Sequence, residues 1–283
     1  MSYLTTYSGI QRLVEIEAED GRAVLLPQLT VSISTHGQPD TVALRDAVLT
    51  AVDAAVARPV RTAEEVPLRL LRKLEELEGI RSAEAEMRAE YAVVRRTPVT
   101  GHTSQEVYTL LASGRLEGEL TLMLGAEVTG ITTCPCAHEG IREKAKRELA
   151  KRFPEEEAES ILSMLPIASH NQRNISTLMV GTAPGRVKVE QIIEIVESSM
   201  SSRLYEVLKR EDEVEVVYRA HLNPNFVEDT VRSMLLRTMR AFPALPDATA
   251  VYARSESIES IHQHNAVAER FTTLGEIRRE VGE

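Results

Sequence analysis

Over residues 118–133, apolar side chains take every second position: Leu120, Leu122, Leu124, Ala126 and Val128. A period of two buries one face of a strand and leaves the other face free. The same alternation runs through Leu29, Val31 and Ile33, and again through Ala83, Ala85, Met87, Ala89, Tyr91 and Val93. The composition of that last stretch favours helix, with Ala, Glu, Met and Arg; the period decides for a strand. Long strands with one apolar face need a second layer, so helices must cover the sheet. Trp is absent and aromatics are only 4 %, so the core between the layers is built from Val, Leu, Ile, Ala and Met.

The remaining elements follow in order. Strands over 10–18 and 23–35 are joined by Glu19-Asp20-Gly21, whose Asp-Gly step is a hairpin signal. Asp40 caps a helix that runs to about Arg58, with Leu44, Val48, Val52 and Ala55 on one stripe. Thr62-Ala63-Glu64-Glu65 reads as a capping box opening a second helix, with Leu70, Leu71, Leu74 and Leu77 inward and Gly79 as its stop. Residues 104–113 suit a short helix or a strand equally. Two highly charged helices follow residue 133, over 139–152 and from Pro154 to near Leu165. A strand over 173–181, a helix over 187–209, a helix over 226–242 and strands over 248–256 and 266–273 complete the chain, before a charged tail with one short helix.

Strand, strand, helix, helix, strand thus occurs twice, with a break near residue 115. The expected class is α+β: two tandem units, 1–115 and 116–283, each an antiparallel sheet backed by a helix pair. The second carries a helical insert over 138–168.

A formal net charge of −10 argues against nucleic acid and membrane surfaces as partners. No signal segment or long apolar run is visible, which places the chain in the cytoplasm. The only two cysteines stand in Cys134-Pro135-Cys136. That spacing strains a mutual disulfide, so the thiols are free or ligate a metal.

Three groups of residues can carry chemistry. The first is a metal set: Cys134 or Cys136, His170, His262 and His264, and the acids Glu211, Asp212 and Glu213. A borderline metal such as Zn(II) or Fe(II) accepts thiolate, imidazole and carboxylate together. The alternative is two small buried cysteines and surface histidines. The second group is Arg173, Arg203, Lys209 and Arg210, which could hold phosphate or simply close a helix end. There is no P-loop and no Gly-rich dinucleotide fingerprint. The third is Glu228, in the first turn of a helix, either a dipole partner or an acceptor for a purine or pterin edge. His102, His138 and His221 have no evident chemical partner.

Six separated motifs carry a resemblance: Cys134-Pro135-Cys136; His170-Asn171-Gln172-Arg173; Ser199-Met200-Ser201-Ser202-Arg203-Leu204-Tyr205; Lys209-Arg210-Glu211-Asp212-Glu213; Asn223-Pro224-Asn225-Phe226-Val227-Glu228-Asp229; and Glu259-Ser260-Ile261-His262-Gln263-His264-Asn265-Ala266. In that order, over about 118–280, the chain resembles the type IB GTP cyclohydrolases, and among them the archaeal branch of methanopterin synthesis. The resemblance implies a tunnelling fold and assembly into a homodimer or homotetramer with GTP as substrate. It implies Fe(II), with Mn(II) or Zn(II) in other members, held by Cys134, His170 and Glu213. It makes Cys136 a second active-site thiol, Glu228 the guanine anchor, and His262 and His264 active-site histidines. Arg173, Lys209 and Arg210 become phosphate partners. The implied product is 7,8-dihydroneopterin 2',3'-cyclic phosphate with formate and pyrophosphate. The alternatives are a folate-type enzyme that keeps the triphosphate, a nitrile reductase of the same fold, and a non-catalytic metal-stabilised subunit. The family's Lys-Gly…Met-Ser-Arg loop is replaced here by His36-Gly37-Gln38-Pro39-Asp40-Thr41-Val42-Ala43-Leu44-Arg45.

Overall fold

A computed structural model describes residues 2–18, 21–36 and 40–282. The first half holds β1 (Ser2–Gln11), a short hairpin β2 (Val14–Ala18) and β3 (Gly21–Leu25), then β4 (Gln28–His36), α1 (Thr41–Val56), α2 (Glu65–Glu75), β5 (Ile80–Arg96) and β6 (Thr103–Glu117). The second half holds β7 (Glu119–Thr133), the insert α3 (Pro135–Leu149) and α4 (Glu155–Ser163), then β8 (Asn171–Gly181), α5 (Val189–Glu197), β9 (Ser202–Arg203), α6 (Arg210–Leu222), α7 (Val227–Ala241), β10 (Ala250–Ile258), β11 (Ala266–Thr273) and α8 (Leu274–Val281).

The large strands form one antiparallel sheet in the order β1-β4-β5-β6-β7-β8-β10-β11, with β9 beside β7. Two strands, helices and two strands therefore recur in the same spatial order, as the α+β reading expected. The halves meet in the sheet itself: β6 and β7 are joined at Gly118 and hydrogen-bonded from Thr109↔Glu127 to Glu117↔Glu119. Alternation supplies the inner face, where Met87, Leu110, Leu124, Leu178 and Val251 meet Leu70, Leu71, Ile192, Ile193 and Met234 of the helices in one apolar core.

Several expectations change in detail. The strand read over 10–18 is two, because the chain leaves the sheet at Arg12-Leu13; β1 pairs with β4 and β2 with β3 in a separate ribbon. Its Glu19-Asp20 turn, like Gly37, Gln38 and Pro39, lies outside the described residues. Residues 104–113 are strand β6. The capping box at Thr62 does not form: α2 begins at Glu65, its N-cap is Glu64, and the Thr62 hydroxyl is buried without a partner.

The helix expected over 187–209 stops at Glu197. Serines bond to nearby backbone and compete with helix continuation. Ser199 Oγ donates to Ile195 O at 2.8 Å, and Ser201 Oγ accepts the Thr133 amide at 3.1 Å. The freed chain then pairs with β7 at Gly130↔Arg203 and Ile131↔Ser202. Gly130 permits this approach, since a Cβ there would lie 2.9 Å from Ser202 O. Arg203 consequently serves the fold: it joins Arg95 on the buried Glu197 carboxylate, which also accepts from Tyr108 Oη at 2.5 Å.

The acid cluster 211–213 lies in the first turn of α6, a helix the sequence pattern did not assign. Asp212 is fully buried there. It accepts from Thr100 Oγ1 at 2.6 Å, from the Val99 and Thr100 amides at 2.9 Å, and from the Lys209 amide at 3.2 Å. Burial alone would raise its carboxyl, but these donors outweigh burial and hold it well below the usual aspartate range. A depressed folded pKa stabilises the protein above the unfolded value, and that contribution is lost as pH falls through the folded one. Asp212→Asn is therefore expected to melt several degrees lower at pH 7 by circular dichroism. The gap should close as the melts are repeated at progressively more acidic pH.

Among the described residues, no helix is long and apolar enough to cross a membrane.

Candidate active site

Toward one end of the second half, the inner face of the sheet turns from apolar to polar. On β8, Val180 and Leu178 give way to Ser176, Asn174 and Gln172; on β10, Val251 and Ala253 give way to Ser255 and Ser257; on β7, Val128 gives way to Gly130 and Thr132. Continued by register, these rows lead to Cys134, His170 and Glu259. Thr133 pairs with Asn171, and the next rung is closed by the Cys134 amide donating to His170 O at 3.1 Å. Cys134 and His170 are thus directly opposed across two strand ends, where Cβ atoms stand about 4.5–5.5 Å apart. Arg173 pairs with Ile258, so Gln172 faces Glu259 in the next rung.

These strand ends and the start of α7 enclose a cleft of about 290 Å³. Cys134, Cys136, His170, Glu228, His262 and His264 all line it, together with Gln172 and Glu259. Cys134 is the N-cap of α3 with Pro135 as its first residue, so the strand-to-helix turn fixes the thiol at the cleft. Glu228 is brought in by the first turn of α7, which starts where the Asn225 amide bonds to Thr133 O at 3.1 Å. The β10–β11 connection carries His262 and His264, whose rings stack at 5.3 Å; the His262 ring meets that of His170 edge-on at 6.4 Å.

His170 Nδ1 lies 3.1 Å from Ser260 Oγ and 4.0 Å from Glu259 Oε2. A ring oriented through Nδ1 presents Nε2 to a ligand, the arrangement of metal-binding histidines with a carboxylate behind them. Glu259 Oε2 is buried with no hydrogen-bond partner, while its Oε1 accepts from Ser257 Oγ at 2.8 Å. A thiol and an imidazole with a carboxylate behind it are donors that a borderline divalent metal accepts. Among the described residues, no three His, Cys, Asp or Glu side chains are already drawn together around one point.

His221, without an evident role in the sequence, is structural. Its Nδ1 faces Val217 O at 2.9 Å and its Nε2 faces Ser169 O at 3.1 Å, while Ser169 Oγ donates to Cys134 O at 2.6 Å. It ties α6 to the backbone on which Cys134 and His170 ride.

Four expected residues are not delivered to this cleft by the chain. Glu213 is exposed on α6, because Asp212 is the member of the acid cluster that turns inward. Lys209 and Arg210 form the exposed N-terminal end of α6. Arg173 alternates with the buried Gln172 and Asn174 on β8 and so points from the opposite sheet face. Glu259 was missed as a site residue. The signal was available: the inner-face period Val251, Ala253, Ser255, Ser257 runs straight into it.

A family model described as type I GTP cyclohydrolase folE2 matches residues 9–268. The chain is 38 % identical to the GTP cyclohydrolase MptA of Methanococcus aeolicus, over 97 % of this chain and 93 % of that one. It is 37 % identical to the GTP cyclohydrolase MptA of Methanothermobacter thermautotrophicus, over 98 % and 90 %. Among solved structures, uricase from Arthrobacter globiformis superposes with a TM-score of 0.57 over 96 % of this chain and 94 % of that one. At 10 % identity, that likeness speaks to the tunnelling-fold architecture alone.

Proposed function

The chain belongs to the type I GTP cyclohydrolase family, and from that premise we propose that it opens the guanine imidazole ring of GTP at C8 for methanopterin synthesis in the cytoplasm. Formate and pyrophosphate leave, and the product is 7,8-dihydroneopterin 2',3'-cyclic phosphate. The observation that carries this reading is convergence: Cys134, His170, Glu228, His262 and His264, distant in the chain, line one cleft.

Each residue has a role set by its chemistry. Glu228 accepts hydrogen bonds from the N–H groups of the guanine edge. Cys134 and His170 would hold a divalent ion, Fe(II) first, with Mn(II) and Zn(II) as substitutes; Glu259, behind His170, orients it. When bound, such an ion supplies Lewis acidity for the hydrolytic attack. His262 donates a proton to the imidazole nitrogen as the ring opens, as a general acid placed in the cleft beside the base. His264, stacked beneath it, fixes its plane. Cys136 is exposed at the rim, a second thiol within reach of the opened ring. The cleft lining holds no Lys or Arg. The triphosphate is therefore assigned to its mouth, with charge from Arg173, Lys209 and Arg210 brought up by assembly into a homodimer or homotetramer.

The decisive assay follows formate and phosphate from GTP on anaerobically iron-loaded protein. Formate with one equivalent of pyrophosphate supports the cyclic phosphate; formate with all three phosphates retained identifies the triphosphate product. No formate with Fe(II), Mn(II) or Zn(II) rejects the reading. His221→Ala is expected to lower kcat about 10- to 100-fold, the range for residues that orient ligands from behind. Its GTP affinity should stay near wild type, and His221→Gln, which can still donate to Ser169 O, should recover part of the loss.

A further inference from the structure

A second cavity, walled in part by a fully buried carboxylate, lies away from this cleft. A cavity of about 590 Å³ opens where the β2–β3 hairpin, the segment before α2 and the loop from β8 to α5 meet. Its walls are largely apolar, with Ile16, Leu25, Leu110, Leu124 and Val187. Ligand pockets fall in the range of about 300–1,000 Å³, mostly apolar with a few placed polar groups.

The polar group here is Glu64. It is in the cavity wall and fully buried. Its Oε1 accepts the Gly185 amide at 3.0 Å, whereas its Oε2 has no hydrogen-bond partner. Thr62 Oγ1, in the same wall, is unpartnered as well. The Thr62 hydroxyl faces the Glu64 carboxyl, yet neither it nor Oε2 completes a well-formed hydrogen bond, and buried polar atoms are almost always satisfied. The rim groups are engaged with each other: Tyr91 Oη donates to Glu190, and Arg61 Nε lies 3.8 Å from Glu17.

The tandem order of the fold gives a second, independent argument. α2 is the second helix of the first half, as α7 is the last of the helices packed between strands in the second. Glu64 stands immediately before α2, and Glu228 stands in the first turn of α7. The same end of the corresponding helix thus bears a carboxylate facing a hollow in both halves.

We infer that the Glu64 cavity is a second ligand site, taking a planar, unphosphorylated amino-heterocycle whose ring N–H donates to Glu64 Oε2 and whose neighbouring polar atom meets Thr62 Oγ1. Apolar walls cover the ring faces. The cavity is within one chain, at the junction of its halves, so occupancy requires no partner copy.

The test is direct binding of two probes, guanine and unsubstituted pterin, measured by calorimetry and by quenching of pterin fluorescence. The full-length protein carrying Glu228→Ala is used, which disables the first cleft. One pterin or guanine per chain is expected to remain bound in that background. Adding Glu64→Gln, which keeps an acceptor for the Gly185 amide, should weaken it at least tenfold. Adding Ala23→Phe instead, which fills the cavity from the hairpin without touching Glu64, should abolish it. The second substitution keeps the test valid if Glu64→Gln does not fold. Absence of binding in the Glu228→Ala protein up to the probes' solubility, or binding that survives both added substitutions, overturns the assignment. Neither outcome depends on turnover, so the result stands apart from the fate of the proposed reaction.

Discussion

His170→Ala is expected to lower formate release from GTP about 10²- to 10³-fold, the scale of losing a main electrostatic contribution to a transition state. Cys134→Ala should do the same. The two residues face each other just past the paired ends of β7 and β8, and neither is part of the apolar core. Removing either leaves the sheet register intact, so melting curves should stay close to wild type. Because the pair acts as a unit, the double variant should be scarcely worse than either single one. The discriminating measurement is metal content by elemental analysis after anaerobic loading and desalting: both variants should lose bound iron along with activity. Iron retained at wild-type stoichiometry in both, or formate released at wild-type rate, removes Cys134 and His170 from the centre.

Glu228→Gln should have the larger effect on specificity. A site that hydrogen-bonds a substrate edge rejects a mismatched edge strongly, because buried polar groups are then left unpaired. Glutamine turns one acceptor oxygen into an NH2 that confronts the guanine N–H groups. The expected loss is about 10⁴-fold in kcat/KM for GTP. Glu228 is exposed on the first turn of α7, so the fold should tolerate the change. Inosine triphosphate, which lacks the exocyclic amine, provides the control. It should be a poor substrate for wild type, and the gap between the two nucleotides should narrow sharply in the variant. An unchanged ratio of GTP to inosine triphosphate would mean that Glu228 does not read the base.

Both results bear on residues that local sequence pattern alone left ambiguous. Cys134, His170 and His262 each had an unremarkable reading as a small core residue or a surface histidine. What supports the proposed chemistry is their joint arrival at one cleft, and for Cys134 and His170 that arrival is a matter of strand register. The same alternation shows why Arg173 does not share a face with Gln172. In a strand, a step of one residue moves a side chain to the other side of the sheet. Spacing along the chain says nothing of which rung of the neighbouring strand it will meet.

The one long helix that failed, over 187–209, failed for a local reason. Its apolar stripe Val189, Ile192, Ile193, Val196, Met200, Leu204, Val207 suits a continuous helix. Ser201 accepts the Thr133 amide and Ser202 donates to Arg203 O, and the chain is captured by the open edge of β7 beside Gly130. After that extended segment comes α6, a helix the sequence pattern did not assign, which carries Asp212 inward and Glu213 outward.

The amino-acid sequence alone determined the class of fold, since alternation at Leu120–Val128 and 3.6-residue stripes such as Leu70, Leu71 and Leu74 specify which faces are buried whatever the partner. It also carried the chemical inventory, because thiol, imidazole and carboxylate are properties of single residues. Tertiary structure alone decided which of those groups meet. Pairing of β7 with β8 and of β8 with β10 brings Cys134, His170 and Glu259 to one edge, and leaves Glu213, Lys209 and Arg210 on the outside of α6. The reason is physical: burial is governed by local period, whereas convergence depends on hydrogen-bond register between segments far apart in the chain.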